Sequence, residues 1–321
     1  MQKEPWKARK VVVVGAGAVG ATFAYALAQS GLADEIAILD LNHNLAMGQV
    51  LDLSHGLPYY PSVKFSVGES SDYTDAHVIV VTAGAKQRSG QSRLDLLQKN
   101  ASIIESIVDE ITAQGSQGVI LLVSNPVDVL THLAHERAAW ERGRVIGSGT
   151  VLDSARFRYL LSEQCGVDVH NVHAYVLGEH GDSEVAVWSM THLAGVPILE
   201  FCKKCGGCEG WEKIRLEMEE TVRHSAYHII DYKGATNYAV GLALVRIVGA
   251  ILRNERSVLT VSVPLEGEYG LRDVSLGVPS IVSMNGVESI VEANLRPEEL
   301  EALQASAAVL QKSIKEVTRS R

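Results

Sequence analysis

A short β-branched run that ends in patterned glycines constrains this chain more than any other feature. Lys10-Val11-Val12-Val13-Val14 leads directly into Gly15-Ala16-Gly17-Ala18-Val19-Gly20, and Val19, Phe23, Ala26 and Leu27 then form one helical face that stops at Gly31. An unbroken apolar run of this kind suits a strand buried on both faces of a parallel sheet. Each glycine then has its own reason. Gly15 permits a tight turn, Gly17 lets a pyrophosphate approach the backbone of Ala18 and Val19, and Gly20 lets helix and strand pack closely. A second strand, Ile36 to Leu39, ends in Asp40. A carboxylate there accepts hydrogen bonds from a ribose and repels a 2′-phosphate, so the pattern predicts NAD rather than NADP.

The same rhythm continues. Val78 to Thr82 and Val119 to Ser124 are apolar strands followed by turn residues, and between them Gln98 to Gln114 carries Ile103, Ile104, Ile107, Val108 and Ile111 on one stripe. Strands alternating with helices predict an α/β chain with a Rossmann-type, doubly wound parallel sheet. Beyond residue 150 the alternation fades. Val258 to Val263 and Ile281 to Met284 read as antiparallel pieces, and Pro297 opens a last helix with Glu298 and Glu299 in its first turn. Residues 1–149 are therefore expected to form a dinucleotide-binding domain and 150–321 an α+β substrate domain.

Composition removes several classes of function. A net charge of −9 without any lysine- or arginine-rich block argues against a nucleic-acid surface. The N-terminus lacks the apolar core of a signal peptide. Tyr238 to Leu252 is interrupted by Arg246 and is too short for a membrane span, so a buried helix is expected. The cytoplasm is the expected compartment. Three of the four cysteines crowd at Cys202, Cys205 and Cys208. Their spacing could serve zinc or an iron–sulfur cluster, but both want a fourth ligand and Cys165 is distant. An exposed loop of thiols, without metal, is expected.

Three further segments carry chemistry. On a helix, Asp153 and Arg156 share one face while Arg158 points about 200° from Arg156; a structural ion pair is the competing reading. The segment Thr82 to Arg93 follows a strand end and has glycines at 84 and 90, which suits a lid over roughly residues 84–96 as well as a plain surface loop. Gly178-Glu179-His180-Gly181-Asp182 contributes a histidine able to move a proton near neutral pH.

Together these motifs resemble the NAD-dependent L-lactate and malate dehydrogenases, on the bacterial lactate side of that family. The resemblance runs through Gly15–Gly20, Asp40, Gln87 to Arg93, Ser124-Asn125-Pro126, Gly147 to Arg156, Gly178–Asp182 and Lys233-Gly234-Ala235-Thr236. It implies that His180 exchanges the substrate proton, that Asp153 orients it, and that Arg93 polarises the carbonyl once the lid closes. It further implies that Arg156 holds the substrate carboxylate, that Asn125 and Thr236 line the pocket, and that Gly84 and Ala85 join the glycine loop at the cofactor. Malate enzymes carry arginine six residues before the lid arginine. Gln87 stands there, leaving a second substrate carboxylate unpaired, so pyruvate and lactate are expected rather than oxaloacetate and malate. Arg158 and His173 match the pair that binds fructose 1,6-bisphosphate in allosteric bacterial members, and strand alternation is expected to turn His173 away from His180. A homotetramer working in fermentative glycolysis is implied too. A malate or other 2-hydroxy-acid dehydrogenase and a non-enzymatic NAD-binding protein are the alternatives.

Overall fold

The computed structural model describes residues 8–85, 92–205 and 210–319. In its first half, β1 (Lys10–Val14), α1 (Ala18–Ser30), β2 (Glu35–Leu39), α2 (His43–His55), β3 (Lys64–Val67), β4 (Val78–Val81), α3 (Arg93–Ala113), β5 (Val119–Leu122), α4 (Val127–Ala138) and β6 (Val145–Gly147) follow one another. The second half contains α5 (Val151–Cys165), β7 (Val172–Leu177), β8 (Val185–Leu193), β9 (Val196–Pro197), α6 (Ile198–Cys205), α7 (Trp211–Lys233) and α8 (Tyr238–Leu252). It ends with β10 (Ser257–Leu259), β11 (Ser262–Glu266), β12 (Arg272–Gly277), β13 (Ser280–Ser283), β14 (Gly286–Ile290) and α9 (Pro297–Arg319).

The parallel strands lie in the order β3-β2-β1-β4-β5-β6, as expected of a doubly wound sheet. The order reverses between β1 and β4, and such a reversal opens a crevice beyond the carboxyl ends of the strands. Val14 and Val81 are register partners, which sets Gly15 beside Thr82 at that crevice. All of β1, β4 and β5 is buried, so the β-branched runs form the centre of the main core. The sheet does not stop at the first half. β11 and β12 extend it antiparallel beyond β6, through the pairing of Ser262 with Gly147. Two three-stranded antiparallel sheets, β10-β13-β14 and β7-β8-β9, complete the second half. No helix among the described residues is long and apolar enough to cross a membrane.

Four local expectations need correction. The helix expected from Gln98 starts at Arg93, because Ser92 caps it and Asp95 closes the capping box, so the end of the expected lid is helical. Val258 to Val263 is not one strand; it divides at Thr260 and Val261 into β10 and β11, which belong to different sheets. Cys202 sits buried on α6 in a second apolar cluster with Phe157, Trp188 and Met218, not in an exposed loop. The side chain of Cys205 and all of Cys208 lie outside the described residues. Finally, β7 ends at Leu177 and Gly178 turns the chain at a φ of 93°, so strand alternation never reaches His180. Within the strand it does hold, with His173 exposed between buried Val172 and Ala174.

Candidate active site

The glycine loop sits at the crevice. Gly15 has a φ of 110°, a conformation that favours glycine, and its carbonyl accepts from Thr82 Oγ1 at 3.0 Å. A Cβ on Gly20 would lie 1.9 Å from the Gly15 oxygen, which explains the third glycine. Gly17 is different: a Cβ there would meet nothing within 4 Å. It is the N-cap of α1, no side chain caps that end, and Gly17 and Ala18 are exposed. A free helix N-terminus with open space in front of it fits a pyrophosphate. Asp40, at the end of β2, accepts from Ala16 N–H at 2.7 Å and from Asn42 N–H at 2.8 Å. It therefore braces the loop, and each carboxylate oxygen keeps a lone pair for a ribose hydroxyl.

Beyond β4 and β5 the two crossover loops are joined by a residue that no sequence motif marks. Asn100, buried on α3, accepts from Ala85 N–H at 2.8 Å and donates to the Asn125 carbonyl at 3.0 Å. Gly84 and Ala85 are thereby tied to Asn125, whose side chain is exposed at the mouth of the crevice. Arg93 is exposed at the start of α3, and its charge reaches Tyr227 on α7. Thr236 is half-buried in the turn between α7 and α8, next to Asn237, which donates to Thr22 of α1 at 2.9 Å. Gln87 lies outside the described residues.

Three of the expected residues meet directly. On α5, Asp153 and Arg156 stand one turn apart, and Arg156 Nη1 donates to Asp153 Oδ1 at 2.7 Å. The other oxygen of Asp153 lies 2.6 Å from His180 Nδ1. With Asp153 only 1% exposed this is no ion pair on a solvated face. Burial alone would raise the Asp153 pKa, but the charges of His180 and Arg156 outweigh it and hold the group ionised. The Asp153 charge in turn raises the pKa of His180 to about 9, against the opposing effect of burial. An imidazole held by Nδ1–H on a buried carboxylate can give and take a proton at Nε2.

Two more carboxyl groups stand close by, and neither was found in the sequence. Asp128, buried in the first turn of α4, accepts from the backbone N–H of His180 at 2.7 Å. Burial raises its pKa to about 6. Glu184, four residues beyond His180, is buried with Oε1 lacking a hydrogen-bond partner. Burial and then the Asp153 charge raise it to about 8. Neither residue has a spacing or motif of its own; only the fold brings them to His180. Arg158 leaves the far side of α5, where Nη2 donates to the Val169 carbonyl at 3.4 Å and Nε is buried without a partner. No group of three or more His, Cys, Asp or Glu among the described residues could hold a metal ion.

The sheet, the glycine loop and the histidine–carboxylate pair define an NAD-dependent oxidoreductase. Comparison with known proteins makes the assignment specific. Residues 9–147 match the model of the lactate/malate dehydrogenase NAD-binding domain, and residues 150–320 that of the lactate/malate dehydrogenase alpha/beta C-terminal domain. The chain belongs to the lactate/malate dehydrogenase family. It is 59% identical over 311 residues to an L-lactate dehydrogenase of Treponema denticola, covering 97% of this chain and 99% of that protein. An L-lactate dehydrogenase of Acetivibrio thermocellus is 48% identical, with 96% of each chain covered. The minor L-lactate dehydrogenase of Enterococcus mundtii, in its ligand-bound crystal structure, superposes with a TM-score of 0.94 at 42% identity, covering 97% of this chain and 98% of that one.

Proposed function

We propose that this chain interconverts pyruvate and L-lactate with NAD, and that fructose 1,6-bisphosphate activates it. The single observation that carries the catalytic reading is the shared carboxylate of Asp153, which holds His180 on one oxygen and Arg156 on the other. When bound, the nicotinamide supplies or accepts the hydride. Protonated His180 gives its Nε2 proton to the substrate oxygen as pyruvate is reduced, and neutral His180 takes it back as lactate is oxidised. Arg156 grips the carboxylate in a two-pronged contact, each charge-assisted bond being worth roughly 1.5–3 kcal/mol. Arg93 closes over the carbonyl and excludes water, Asn125 and Thr236 line the pocket, and a neutral Gln87 selects against a second substrate carboxylate. Gly15, Gly17, Ala18, Val19, Gly20, Asp40, Gly84 and Ala85 hold the cofactor. These roles follow a division of labour near residue 149, with cofactor groups before it and the histidine pair after it.

For regulation, Arg158 and exposed His173 are the candidate anion ligands, and the buried, unpartnered Nε of Arg158 is consistent with a group awaiting an acceptor. The proposed compartment is the cytoplasm, and a homotetramer fits the exposed apolar side chains of α2 and α7–α8, among them Leu51, Met47, Tyr227, Ile230 and Leu242. One experiment tests the whole reading: steady-state kinetics with NADH and either pyruvate or oxaloacetate, with and without fructose 1,6-bisphosphate. Pyruvate should win by a factor of about a thousand in kcat/KM, because oxaloacetate would bring an unpaired charge into a closed site. The sugar bisphosphate should lower the apparent KM for pyruvate. A preference for oxaloacetate, or saturation curves indifferent to the bisphosphate, would reject the corresponding half.

A further inference from the structure

The loop that carries His180 is pinned at three consecutive backbone positions, each by a different element. Gly178 exchanges two hydrogen bonds of 2.9 Å with Gly277 of β12. Glu179 N–H donates to Ser306 Oγ of α9 at 2.9 Å, and His180 N–H donates to Asp128 Oδ2 of α4 at 2.7 Å. The first two anchors belong to the second half of the chain. The third crosses to the cofactor side, onto the helix that begins just after Asn125.

Asp128 is an expensive way to hold one backbone N–H. It is 1% exposed, and beyond the His180 bond its second oxygen has only the Ser262 hydroxyl of β11 as a polar neighbour, without a hydrogen bond of normal geometry. A carboxyl group this deeply buried, with one well-formed hydrogen bond and one weak hydroxyl contact, costs more to desolvate than an apolar residue of the same size. Stability therefore does not account for it, whereas the placement of His180 does. Asp153 holds the ring from α5, and Asp128 holds the backbone of the same residue from α4.

We propose that Asp128 is a positioning residue for the reaction: its carboxylate fixes the His180 backbone to α4, and thereby sets the imidazole relative to Asn125 and the cofactor crevice. This rests on the reading of His180 as the proton carrier. Asp128 never touches substrate. It acts by holding the reacting nitrogen in register with a group bound by the other half of the chain, and a misplacement of about 1 Å can cost on the order of a hundredfold in rate. Its charge has a second effect, because it adds to the field that keeps the proton on His180. The charged groups facing His180 are Asp153 from α5, Asp128 from α4 and Glu184 from its own loop, while Asp128 faces His180 and Glu179.

The test compares Asp128→Ala, Asp128→Asn and His180→Asn in the full-length enzyme with NADH and pyruvate. Asp128→Ala should lower kcat on the order of a hundredfold while leaving the Kd for NADH unchanged. Asp128→Asn retains an acceptor oxygen, so it should restore most of kcat, but the alkaline limb of its pH–rate profile should move to lower pH. Should the alanine variant fail to fold, Asp128→Ser, which lacks the reach to His180, replaces it. A folded Asp128→Ala or Asp128→Ser enzyme with wild-type kcat overturns the proposal. So does an Asp128→Asn enzyme as slow as the truncation with an unmoved pH limb. His180→Asn separates the two levels: if it keeps its turnover, the reading of His180 itself fails, whatever the Asp128 variants do.

Discussion

Asp153 and His180, 27 residues apart in sequence, meet at 2.6 Å between a buried carboxylate oxygen and Nδ1. Because the other oxygen of Asp153 holds Arg156, the proposed proton carrier and the proposed carboxylate anchor share a single support. Any change that moves one moves the other.

The first prediction concerns pH. His180 has its pKa raised to about 9, above the usual value of 6.5, chiefly by the Asp153 charge. Pyruvate reduction needs the protonated ring, so its rate should fall as pH rises through that value, and lactate oxidation should gain over the same range. Replacing Asp153 with asparagine should shift both limbs towards lower pH and reduce kcat/KM by about 10²–10⁴-fold. The same raised pKa stabilises the folded chain, fully below the ordinary histidine value and decreasingly as pH rises through the folded one. Paired pH–rate profiles of wild type and Asp153→Asn would show it; superimposable limbs would count against it.

Arg156→Lys keeps a positive charge but loses the fork that addresses two carboxylate oxygens at once. The KM for pyruvate should rise by about tenfold or more, given roughly 1.5–3 kcal/mol for each charge-assisted bond. The Kd for NADH should not change. Fluorescence titration of the cofactor beside steady-state kinetics makes the comparison.

Two glycines of one motif should respond in opposite ways. Gly20→Ala places a Cβ 1.9 Å from the Gly15 oxygen, so the loop cannot keep its shape and thermal stability should collapse. Gly17→Ala has open space and an ordinary φ of −70°, so it should fold and melt as wild type does. Its methyl group instead occupies the approach of the pyrophosphate, and the Kd for NADH should rise by about tenfold or more, the loss of one or two hydrogen bonds. Calorimetry and cofactor titration separate the outcomes.

Glu184 offers a gain in stability. Its pKa is raised to about 8, so the folded chain holds a proton that the unfolded chain releases well below that pH. Stability contributed at this site therefore falls as pH rises from the ordinary carboxylate range through about 8. Glu184→Gln removes that dependence. It should raise Tm more at alkaline than at acid pH, by about 2–4 °C for each kcal/mol recovered. An identical Tm difference at both pH values would reject the assignment.

Much of the fold could be read from local pattern, because the buried strands are short β-branched runs and the glycine loop has steric requirements confined to neighbouring residues. Asp153, Arg156 and His180 were reachable through motif and resemblance. Asn100, Asp128 and Glu184 were not. Each lies in an ordinary stretch of helix or loop, and acquires its role only when the fold sets it beside a residue distant in sequence or buries its carboxyl group. The start of α3 is hidden for another reason: the apolar stripe begins a turn after the Ser92 cap that starts the helix. At Thr260 and Val261, continuous β-branched character concealed a change of sheet.

The pairing of Ser262 with Gly147 has a consequence for how the protein is made. When the first six strands have left the ribosome, β6 is a fully buried strand type with an unpaired edge, and its partner is more than a hundred residues from being synthesised. Such an edge invites association with other nascent chains. Truncation near residue 149 should therefore yield an aggregating fragment, not a small cofactor-binding module. The sheet is finished only when the C-terminal half arrives to cover it.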